Sequence, residues 1–225
     1  GLISTLAGVG QPRFSGDGGP SVNAGLNEPA ALAVHGTRVY IADQSNNRVR
    51  MIDVATEIIT TVAGTGSAGY NGDGMPATEA SLAGPSGLAV GADGTLYIAD
   101  TFNGRIRGVD PTTGMISTVA GDGGDYRYQG PTETSSGSLS RPSGISLDLD
   151  GNLLITDSDN HLVRRWERAT GRIDRIAGTG EASGGGDGGP ALQAGLSYPF
   201  GIVVDANGRL LVADTFNHRM REIIF

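Results

Sequence analysis

The sequence predicts an all-β protein of the β-propeller class, with four four-stranded antiparallel blades. Three observations carry this prediction: a repeat of 57 residues runs along the chain, each repeat holds four strand-like runs, and turn-forming residues separate the runs. A single four-stranded sheet cannot bury both of its faces. Stacking similar sheets around an axis solves that problem, so we expect the repeats to form the blades of a propeller.

The repeat keeps a strict register. An aspartate ends an apolar run, an asparagine follows three residues later, and an arginine follows four residues after that. The aspartates are Asp43, Asp100, Asp157 and Asp214; the asparagines are Asn46, Asn103, Asn160 and Asn217; the arginines are Arg50, Arg107, Arg164 and Arg221. Equal spacing in all three sets indicates four copies of one structural motif.

Each repeat reads as a four-stranded meander, whose strands we call a, b, c and d. In the second repeat the runs are GLAV (87–90), TLYIAD (95–100), RIRGVD (105–110) and MISTVAG (115–121). Branched and aromatic residues favour strands. The separators GADG, TFNG and PTTG supply the positive φ that tight hairpins require, so neighbouring strands are predicted to be antiparallel.

The first and the last residues of the chain match different strands of the repeat. Residues 2–8, LISTLAG, match a d strand, and residues 218–225, HRMREIIF, match a c strand. We therefore expect a single domain over residues 1–225, in which the first strand completes the last blade and closes the ring. A partial ring completed by another copy of the chain is the alternative.

Composition excludes several function classes. Sixteen cationic against 24 acidic side chains give a net charge of −8, which disfavours nucleic acid as a partner. The chain has no cysteine, so disulfides, zinc–thiolate sites and cysteine catalysis are excluded. It has no apolar run of the length that spans a bilayer and no leader-like start, so no membrane insertion is expected.

The repeat resembles the NHL-repeat family, in its long bacterial form. The resemblance rests on Pro-x-Gly before strand a, on Ala-Asp ending strand b, on the following Asn-x-Arg, and on the tripeptide Asn160-His161-Leu162. The long form adds a Gly-Asp-Gly segment between blades, seen here at 16–20, 72–76 and 186–190, whereas residues 124–139 depart from it. The resemblance implies a propeller used mainly for binding, with a minority of relatives being lyases.

Strand direction predicts where a partner binds. The b–c loops and the long d–a loops emerge on the same side of the blades, which we call the rim, while only short turns occupy the other side. Loop side chains are less constrained by packing than core ones. The predicted contact residues for a protein, peptide or glycan are Gln44, Thr101, Phe102, Ser158, His161, Thr215, Phe216 and His218.

The aspartates that end strand b have two interpretations. They could ring the central channel and hold a cation. The simpler interpretation pairs each with the arginine five residues on, across the b–c loop: Asp43 with Arg48, Asp100 with Arg105, and Asp214 with Arg219. Leu162 takes that place in the third repeat, so Asp157 is expected to use Arg164 or solvent.

The Gly-Asp-Gly loops also have two interpretations. Asp17, Asp73 and Asp187 could bind calcium, although none of these loops has the 12-residue order of an EF-hand and each offers one central acid. Alternatively the loops are structural: a proline begins a short helical turn and a leucine packs the loop onto its blade. The prolines are Pro20, Pro76 and Pro190, and the leucines are Leu26, Leu82, Leu139 and Leu196.

Two functional hypotheses follow. The first is a non-enzymatic binding or assembly module, without a cofactor, that acts through the rim as a monomer or within a self-assembling ring or array. The second is a lyase-type or hydrolase-type enzyme with a metal-dependent site at the channel mouth, for which His161, His218, Asp157 and Asp214 are the candidate groups. The acidity and the absence of cysteine are compatible with an extracellular or periplasmic location.

Overall fold

The structure is a computed structural model that describes residues 1–124, 128 and 137–224. Most of the departure from the repeat at residues 124–139 lies outside the described residues. Two compact units divide the chain. The first unit comprises Gly1–Tyr97 with Gly108–Ser117, and the second comprises Ile98–Arg107 with Thr118–Phe225.

The described chain is built from β-strands and single turns of 3-10 helix, in four antiparallel sheets that correspond to the four repeats. This is the predicted fold class, a four-bladed β-propeller. The strands are β1 Gly19–Pro20, β2 Pro29–His35, β3 Arg38–Asp43, β4 Arg48–Asp53, β5 Ile58–Ala63, β6 Met75–Pro76, β7 Pro85–Val90, β8 Leu96–Asp100, β9 Arg105–Val109, β10 Met115–Ala120, β11 Pro142–Leu147, β12 Leu153–Asp157, β13 Leu162–Trp166, β14 Ile173–Ala177, β15 Pro199–Val204, β16 Leu210–Asp214 and β17 Arg219–Ile223.

The sheets differ in their number of strands. Their orders are β1-β5-β4-β3-β2, β6-β10-β9-β8-β7, β11-β12-β13-β14 and β15-β16-β17. The Gly-Asp-Gly segment explains the fifth strand of the first two sheets, because its last residues pair with strand d: Gly19 lies opposite Ile59, and Met75 opposite Ile116. The insertion was predicted as a loop, and its contribution of a short edge strand is a new finding.

The first and last strands depart from the prediction. Residues 2–8 form no strand, and the last sheet has three strands among the described residues, so the predicted fourth strand is not formed there. Ser21 holds the end of the segment: its hydroxyl donates to the Leu6 carbonyl at 2.6 Å, and its own carbonyl accepts from the Gly8 N–H at 3.1 Å. Leu2 and Ile3 beyond it are fully exposed.

A glycine ends strand d because the chain approaches a neighbouring carbonyl there. Gly64, Gly121 and Gly178 have φ values of 94°, 83° and 92°. A Cβ at these positions would lie 2.3, 2.2 and 2.3 Å from the carbonyl oxygens of Asn47, Gly104 and His161. No side chain fits at those distances, which accounts for the repeated Ala-Gly pair.

All four kinds of strand and the d–a loops contribute apolar residues to the cores of the two units. In the first unit, Ile41, Ile52 and Ile59 pack with Ala24, which the d–a loop contributes. In the second unit the core contains Leu154, Val163, Leu196, Leu210, Val212 and Ile223. Leu82, Leu139 and Leu196 are buried, Leu26 is partly buried, and short helical turns follow Pro20, Pro76 and Pro190. These features agree with the structural interpretation of the loops.

A buried aspartate network joins the two kinds of rim loop. In the third repeat, Asp157 accepts hydrogen bonds from the backbone N–H of Ser140 at 2.7 Å, from Asn160 Nδ2 at 3.0 Å and from Arg164 Nη1 at 3.3 Å. Burial raises the pKa of Asp157 to about 6, while Arg164, Asn160 and the Ser140 N–H act in the opposite direction. The carboxylate thus fixes the end of the d–a loop against the b–c loop.

The same network recurs in the other repeats. Asp43 accepts from Asn27 N and Asn46 Nδ2 and lies 3.5 Å from Arg50. Asp214 accepts from Ser197 N and Asn217 Nδ2 and lies 3.3 Å from Arg221. Asp100 accepts from Asn103 and lies 3.4 Å from Arg107.

These contacts correct the predicted pairing of the aspartates with arginines. Each carboxylate lies 3.3 to 3.5 Å from the arginine seven residues on, which is Arg50, Arg107, Arg164 or Arg221. Arg48 donates instead to the carbonyls of Asn46 and Thr65, and Arg105 donates to those of Asn103 and Asp122. Arg219 lies 3.6 Å from Asp187. The nearer arginine is the first residue of strand c and extends to the next loop, whereas the farther one is largely buried within the strand and reaches the carboxylate. The expected use of Arg164 by Asp157 is confirmed.

Removal of one carboxylate tests the network. Asp157→Ala leaves the Arg164 guanidinium and two other donors without their buried acceptor, so we expect a loss of about 3 kcal/mol or more in the free energy of unfolding. Asp150, whose side chain is 84% exposed on the opposite side of the blade, provides the control. Asp150→Ala should cost less than about 0.5 kcal/mol. Urea denaturation measures both, and equal losses would contradict the assignment.

Candidate binding rim

The b–c loops have the same backbone in all four repeats. Each is a single 3-10 turn followed by a residue in the left-handed region. The turns are Gln44–Asn46, Thr101–Asn103, Ser158–Asn160 and Thr215–Asn217, and the left-handed residues are Asn47, Gly104, His161 and His218. Asn and Gly tolerate that conformation well, which explains the sequence choice at two of the four positions.

The structure places the eight predicted rim residues in different environments. Phe102, Phe216 and His218 are exposed, and Gln44 and Thr215 are partly buried. Thr101, Ser158 and His161 are buried. Thr101 donates to the Ala99 carbonyl and Ser158 to the Pro199 carbonyl, so these two hydroxyls stabilise the rim and do not present a contact surface.

An aromatic group forms the rim of the second unit. Tyr198 packs against Phe216 with ring centroids 4.8 Å apart, and edge-on against His161 at 4.6 Å. Phe200 meets Phe216 edge-on at 6.2 Å. Phe216 is 58% exposed, so the group presents an apolar face to solvent while its other rings anchor it.

An ionic pair extends this group. The Arg141 guanidinium lies 5.4 Å from the ring centroid of Phe102, which is 62% exposed, and 3.5 Å from Asp159. Asp159 belongs to the same b–c loop as His161 and interacts with it electrostatically. We call these residues together the aromatic row: Phe102, Arg141, Asp159, His161, Tyr198, Phe200 and Phe216.

A hydroxyl cluster beneath the row fixes its backbone. Ser143 Oγ lies 2.9 Å from Thr156 Oγ1 and 2.6 Å from Ser158 Oγ. Ser158 donates to the Pro199 carbonyl at 2.6 Å, and Thr156 donates to the Phe200 carbonyl at 3.0 Å. These buried bonds connect the third and last sheets of the second unit, so the rings of the row have a rigid support.

His161 holds the loop that carries Tyr198. Its Nδ1 accepts a hydrogen bond from the Tyr198 N–H at 3.2 Å, which requires Nδ1 to be unprotonated. Burial lowers the pKa of His161, and the nearby Asp159 and Glu181 act in the opposite direction. In the first unit, Asn47 makes the corresponding bond, with Oδ1 accepting from the Gly84 N–H at 2.9 Å.

Sequence reasoning missed Arg141, Tyr198, Asp159 and Phe200. Arg141 and Tyr198 immediately precede the proline of strand a and have left-handed φ values of 49° and 46°. Glu28 takes the same place in the first repeat with φ 52°, and it receives a short hydrogen bond from Ser45. The signal was available: the residue before each blade proline varies in a region where the neighbouring positions repeat.

Two of the Gly-Asp-Gly carboxylates, those of Asp17 and Asp187, lie against arginines. Asp17 lies 2.7 Å from Arg50 Nη2 and accepts from its Nε at 3.0 Å, and Asp187 lies 2.8 Å from Arg221 Nη2. A calcium ion would have to displace a guanidinium at either position. Within residues 1–124, 128 and 137–224, no three His, Asp or Glu side chains converge as a metal site.

Comparison with known proteins identifies the repeat. A family model for the NHL repeat matches residues 196–223, and one for the teneurin NHL domain matches residues 60–162. The chain belongs to the NHL-repeat family. It is 32% identical to the Arabidopsis thaliana protein SUPPRESSOR OF QUENCHING 1, chloroplastic, over 98% of this chain and 22% of that protein. It is 27% identical to human NHL repeat-containing protein 2, over 96% of this chain and 33% of that protein.

These NHL-repeat relatives are much longer than the chain, which spans about a fifth to a third of their length. They come from a plant and an animal, so the bacterial type of the repeat stays a prediction. No helix in the described part of the chain is long and apolar enough to cross a membrane.

Solved structures show the same fold. A Bacteroides thetaiotaomicron protein described as of unknown function aligns with a TM-score of 0.66 at 23% identity, over 85% of this chain and 46% of that chain. A chain of a nidogen/laminin complex aligns with a TM-score of 0.61 at 16% identity, over 90% of this chain and 61% of that chain. A streptogramin B lyase aligns with a TM-score of 0.56 at 14% identity, over 88% of this chain and 54% of that chain. At these identities the likeness concerns the fold alone, which hosts different functions.

Titration of His161 gives a test of the row. Because the folded-state pKa lies below that of the unfolded chain, the folded protein binds fewer protons, and stability falls as pH drops through the unfolded value of 6.5. An asparagine at position 161 can supply an acceptor oxygen to the Tyr198 N–H, as Asn47 Oδ1 does to the Gly84 N–H. Between pH 7.5 and 5.5 the melting temperature of the unmodified chain should therefore fall more steeply than that of His161→Asn. Parallel curves would contradict the role of Nδ1.

Calcium removal tests the Gly-Asp-Gly loops. Since arginines already neutralise Asp17 and Asp187, the melting temperature should be the same in EDTA and in millimolar calcium. Differential scanning fluorimetry measures it. Stabilisation by calcium that Asp17→Asn abolishes would instead support the cation interpretation.

Proposed function

We propose that the chain is a non-enzymatic binding module whose aromatic row in the second unit contacts a polypeptide partner. The observation that supports this proposal is the exposure of Phe102 and Phe216 on a rigid support. Large apolar side chains on a soluble surface mark contact sites when they are grouped. Tyr, Phe and Arg are also enriched in the centres of protein interfaces.

The chemistry of the row favours a polypeptide over a purely ionic ligand. Arg141 and Asp159 largely neutralise each other, so the row carries little net charge while the whole chain carries −8. Apolar anchors beside one donor and one acceptor suit the mixed surface of a peptide or protein. Aromatic rings can also stack on sugars, so glycan binding is an outcome that the test must distinguish.

Binding can occur at the row without a large ordering cost. The backbone under Tyr198 and Phe200 is fixed by Ser158 and Thr156, and the Tyr198 N–H is held by His161. Preorganised anchors lose little conformational entropy on association. The enzyme alternative would need a free ring nitrogen on His161 as a metal ligand or base. Nδ1 already accepts from the Tyr198 N–H, so the proton of the neutral ring is on Nε2.

The identity of the partner and the location of the module in or outside the cell also belong to the proposal. The relatives are longer proteins, so their names do not identify the partner of this chain. The extracellular or periplasmic location rests on composition alone.

Substitution of the exposed rings tests the proposal. Peptides selected by phage display on the intact chain, and a glycan array, serve as probes. We expect Phe216→Ala and Phe102→Ala each to weaken binding of the selected peptides about tenfold or more, equivalent to about 1.4 kcal/mol. Biolayer interferometry measures the dissociation constants.

Leu149→Ala is the matched control, because Leu149 is 71% exposed but lies in an a–b turn on the opposite side of the blade. Its affinity should equal that of the unmodified chain. Unchanged affinity of both Phe variants, or binding confined to the glycan array, would contradict a polypeptide-binding row.

A further inference from the structure

A groove of about 380 Å³ is lined by residues of the first and second sheets, on the side opposite the rim. All of its lining residues belong to the first unit. Three of them, Tyr40, Leu96 and Val109, are buried, whereas Arg38 and Asp110 are exposed. Cavities of this size hold small organic molecules. We call this cavity the turn groove, because short turns surround it.

Three turns meet at the mouth of the turn groove. A Cβ on Gly94 would lie 3.3 Å from Pro111 and 3.8 Å from Cε1 of His35. His35 ends strand a of the first sheet, Gly94 belongs to the a–b turn of the second sheet, and Pro111 belongs to the c–d turn of that sheet. The turns beside Arg38 and Asp110 are therefore close neighbours.

The Arg38 guanidinium makes no hydrogen bond or ion pair with the described residues. Asp53 lies opposite Arg38 in the sheet, but its carboxylate accepts from the Ala55 N–H at 2.9 Å. Gly36 and Thr37 alone join strands a and b in the first repeat, so this turn brings no acid to Arg38. An available guanidinium suits an anionic ligand, because its planar fork matches the two oxygens of a carboxylate.

The other repeats hold the side chain at this position within their own turns. The corresponding residues, five before the aspartate that ends strand b, are Thr95, Asn152 and Arg209. Thr95 Oγ1 donates to Asp93 at 2.9 Å, Asn152 Nδ2 to Asp148 at 3.0 Å, and Arg209 Nε to Asp205 at 2.7 Å. An aspartate of the a–b turn thus satisfies each of these side chains. The first repeat has no such aspartate, which leaves Arg38 available to a ligand.

Two hydroxyls of the first sheet add donors to the turn groove. Thr61 lines the groove, and its Oγ1 is buried without a hydrogen-bond partner in the part of the chain that the structure describes. The Tyr40 hydroxyl also makes no hydrogen bond to that part of the chain. An unpaired buried hydroxyl costs free energy. Beside a cavity, such a hydroxyl indicates a ligand that bonds to it.

Asp110 limits the charge of the ligand. Its Oδ1 accepts from the backbone N–H groups of Thr113 and Thr112, at 2.9 and 2.7 Å. These bonds lower the pKa of Asp110, so the carboxylate is ionised at neutral pH. A negative charge in the lining repels further negative charge on a ligand. One carboxylate group therefore suits the groove better than a phosphate dianion or a dicarboxylate.

We propose that the turn groove binds a small monocarboxylate with an apolar body. The carboxylate accepts from the Arg38 guanidinium and from the hydroxyls of Tyr40 and Thr61. The apolar body packs against Leu96 and Val109, which are buried residues of the second sheet. Burial of that body supplies affinity that a lone ion pair at an exposed arginine would not give.

A titration with three simple acids tests the proposal. Acetate, isovalerate and phenylacetate are added to the intact chain and followed by amide-resolved NMR. Isovalerate and phenylacetate should bind more tightly than acetate, with dissociation constants of about a millimolar. The amide signals of Arg38, Gly94 and Thr113 should shift most. If none of the three acids gives saturable shifts of these signals, the proposal is overturned.

Two controls establish the role of the charge pair. Phenylacetamide, which keeps the ring and lacks the charge, should bind about tenfold more weakly than phenylacetate. Arg38→Gln should weaken phenylacetate binding by a similar factor. Arg209→Gln is the matched control, because Arg209 is at the same position of another repeat and pairs with Asp205. Equal affinity of acid and amide, or of Arg38→Gln and Arg209→Gln, would overturn the proposal.

Thr61→Val separates a ligand-binding hydroxyl from a structural one. Because Thr61 Oγ1 has no partner in the described chain, its removal should leave the melting temperature unchanged or higher. The same change should weaken phenylacetate binding about fivefold, the effect of one hydrogen bond. Thr156→Val is the control: its hydroxyl donates to the Phe200 carbonyl at 3.0 Å, so the melting temperature should fall and the affinity should stay the same. Unchanged affinity of Thr61→Val would contradict the assigned contact.

The turn groove and the aromatic row can be tested separately. Phe216→Ala should leave phenylacetate binding unchanged, and Arg38→Gln should leave the binding of the selected peptides unchanged. Failure at one site would therefore not affect the proposal for the other.

Discussion

The fold of the rim depends on one interaction, the buried carboxylate at the end of strand b. It accepts from the backbone of the d–a loop, from the asparagine of the b–c loop and from an arginine of strand c, as Asp157 does with Ser140, Asn160 and Arg164. A buried carboxylate is costly unless its oxygens are satisfied. The three donors therefore have to be in place together, which couples two loops that are distant in sequence.

This coupling explains how a rigid surface can be made from loops. The carboxylate sets the last residue of the d–a loop, and the following residue, such as Tyr198, then takes a left-handed backbone that directs its side chain along the rim. His161 and the hydroxyls of Thr156 and Ser158 add bonds under the same segment. Buried polar groups thus hold the backbone that carries the exposed rings of the aromatic row.

The sequence predicted the features that repeat along the chain, and it missed those that depend on how deeply a side chain is buried. Spacing located the four sheets, the hairpin turns, the buried leucines and the use of Arg164 by Asp157. It assigned Arg48 to Asp43 because the two are adjacent across the hairpin, whereas burial gives the carboxylate to Arg50. It placed Ser158 on the surface, since a loop serine carries no sign of burial. Tyr198 and Arg141 were missed because variation among the repeats, and not a repeated side chain, marks their position.

The left-handed residue before each blade proline has a consequence for engineering. Glu28, Arg141 and Tyr198 share one backbone conformation with φ between 46° and 52°, and Gly84 has φ 56° at the same place. The carboxylate framework and the proline decide that conformation, so the side chain is free to differ. Randomising these codons would vary recognition chemistry on an unchanged scaffold, in the way that antibody libraries vary loop residues on a constant sandwich.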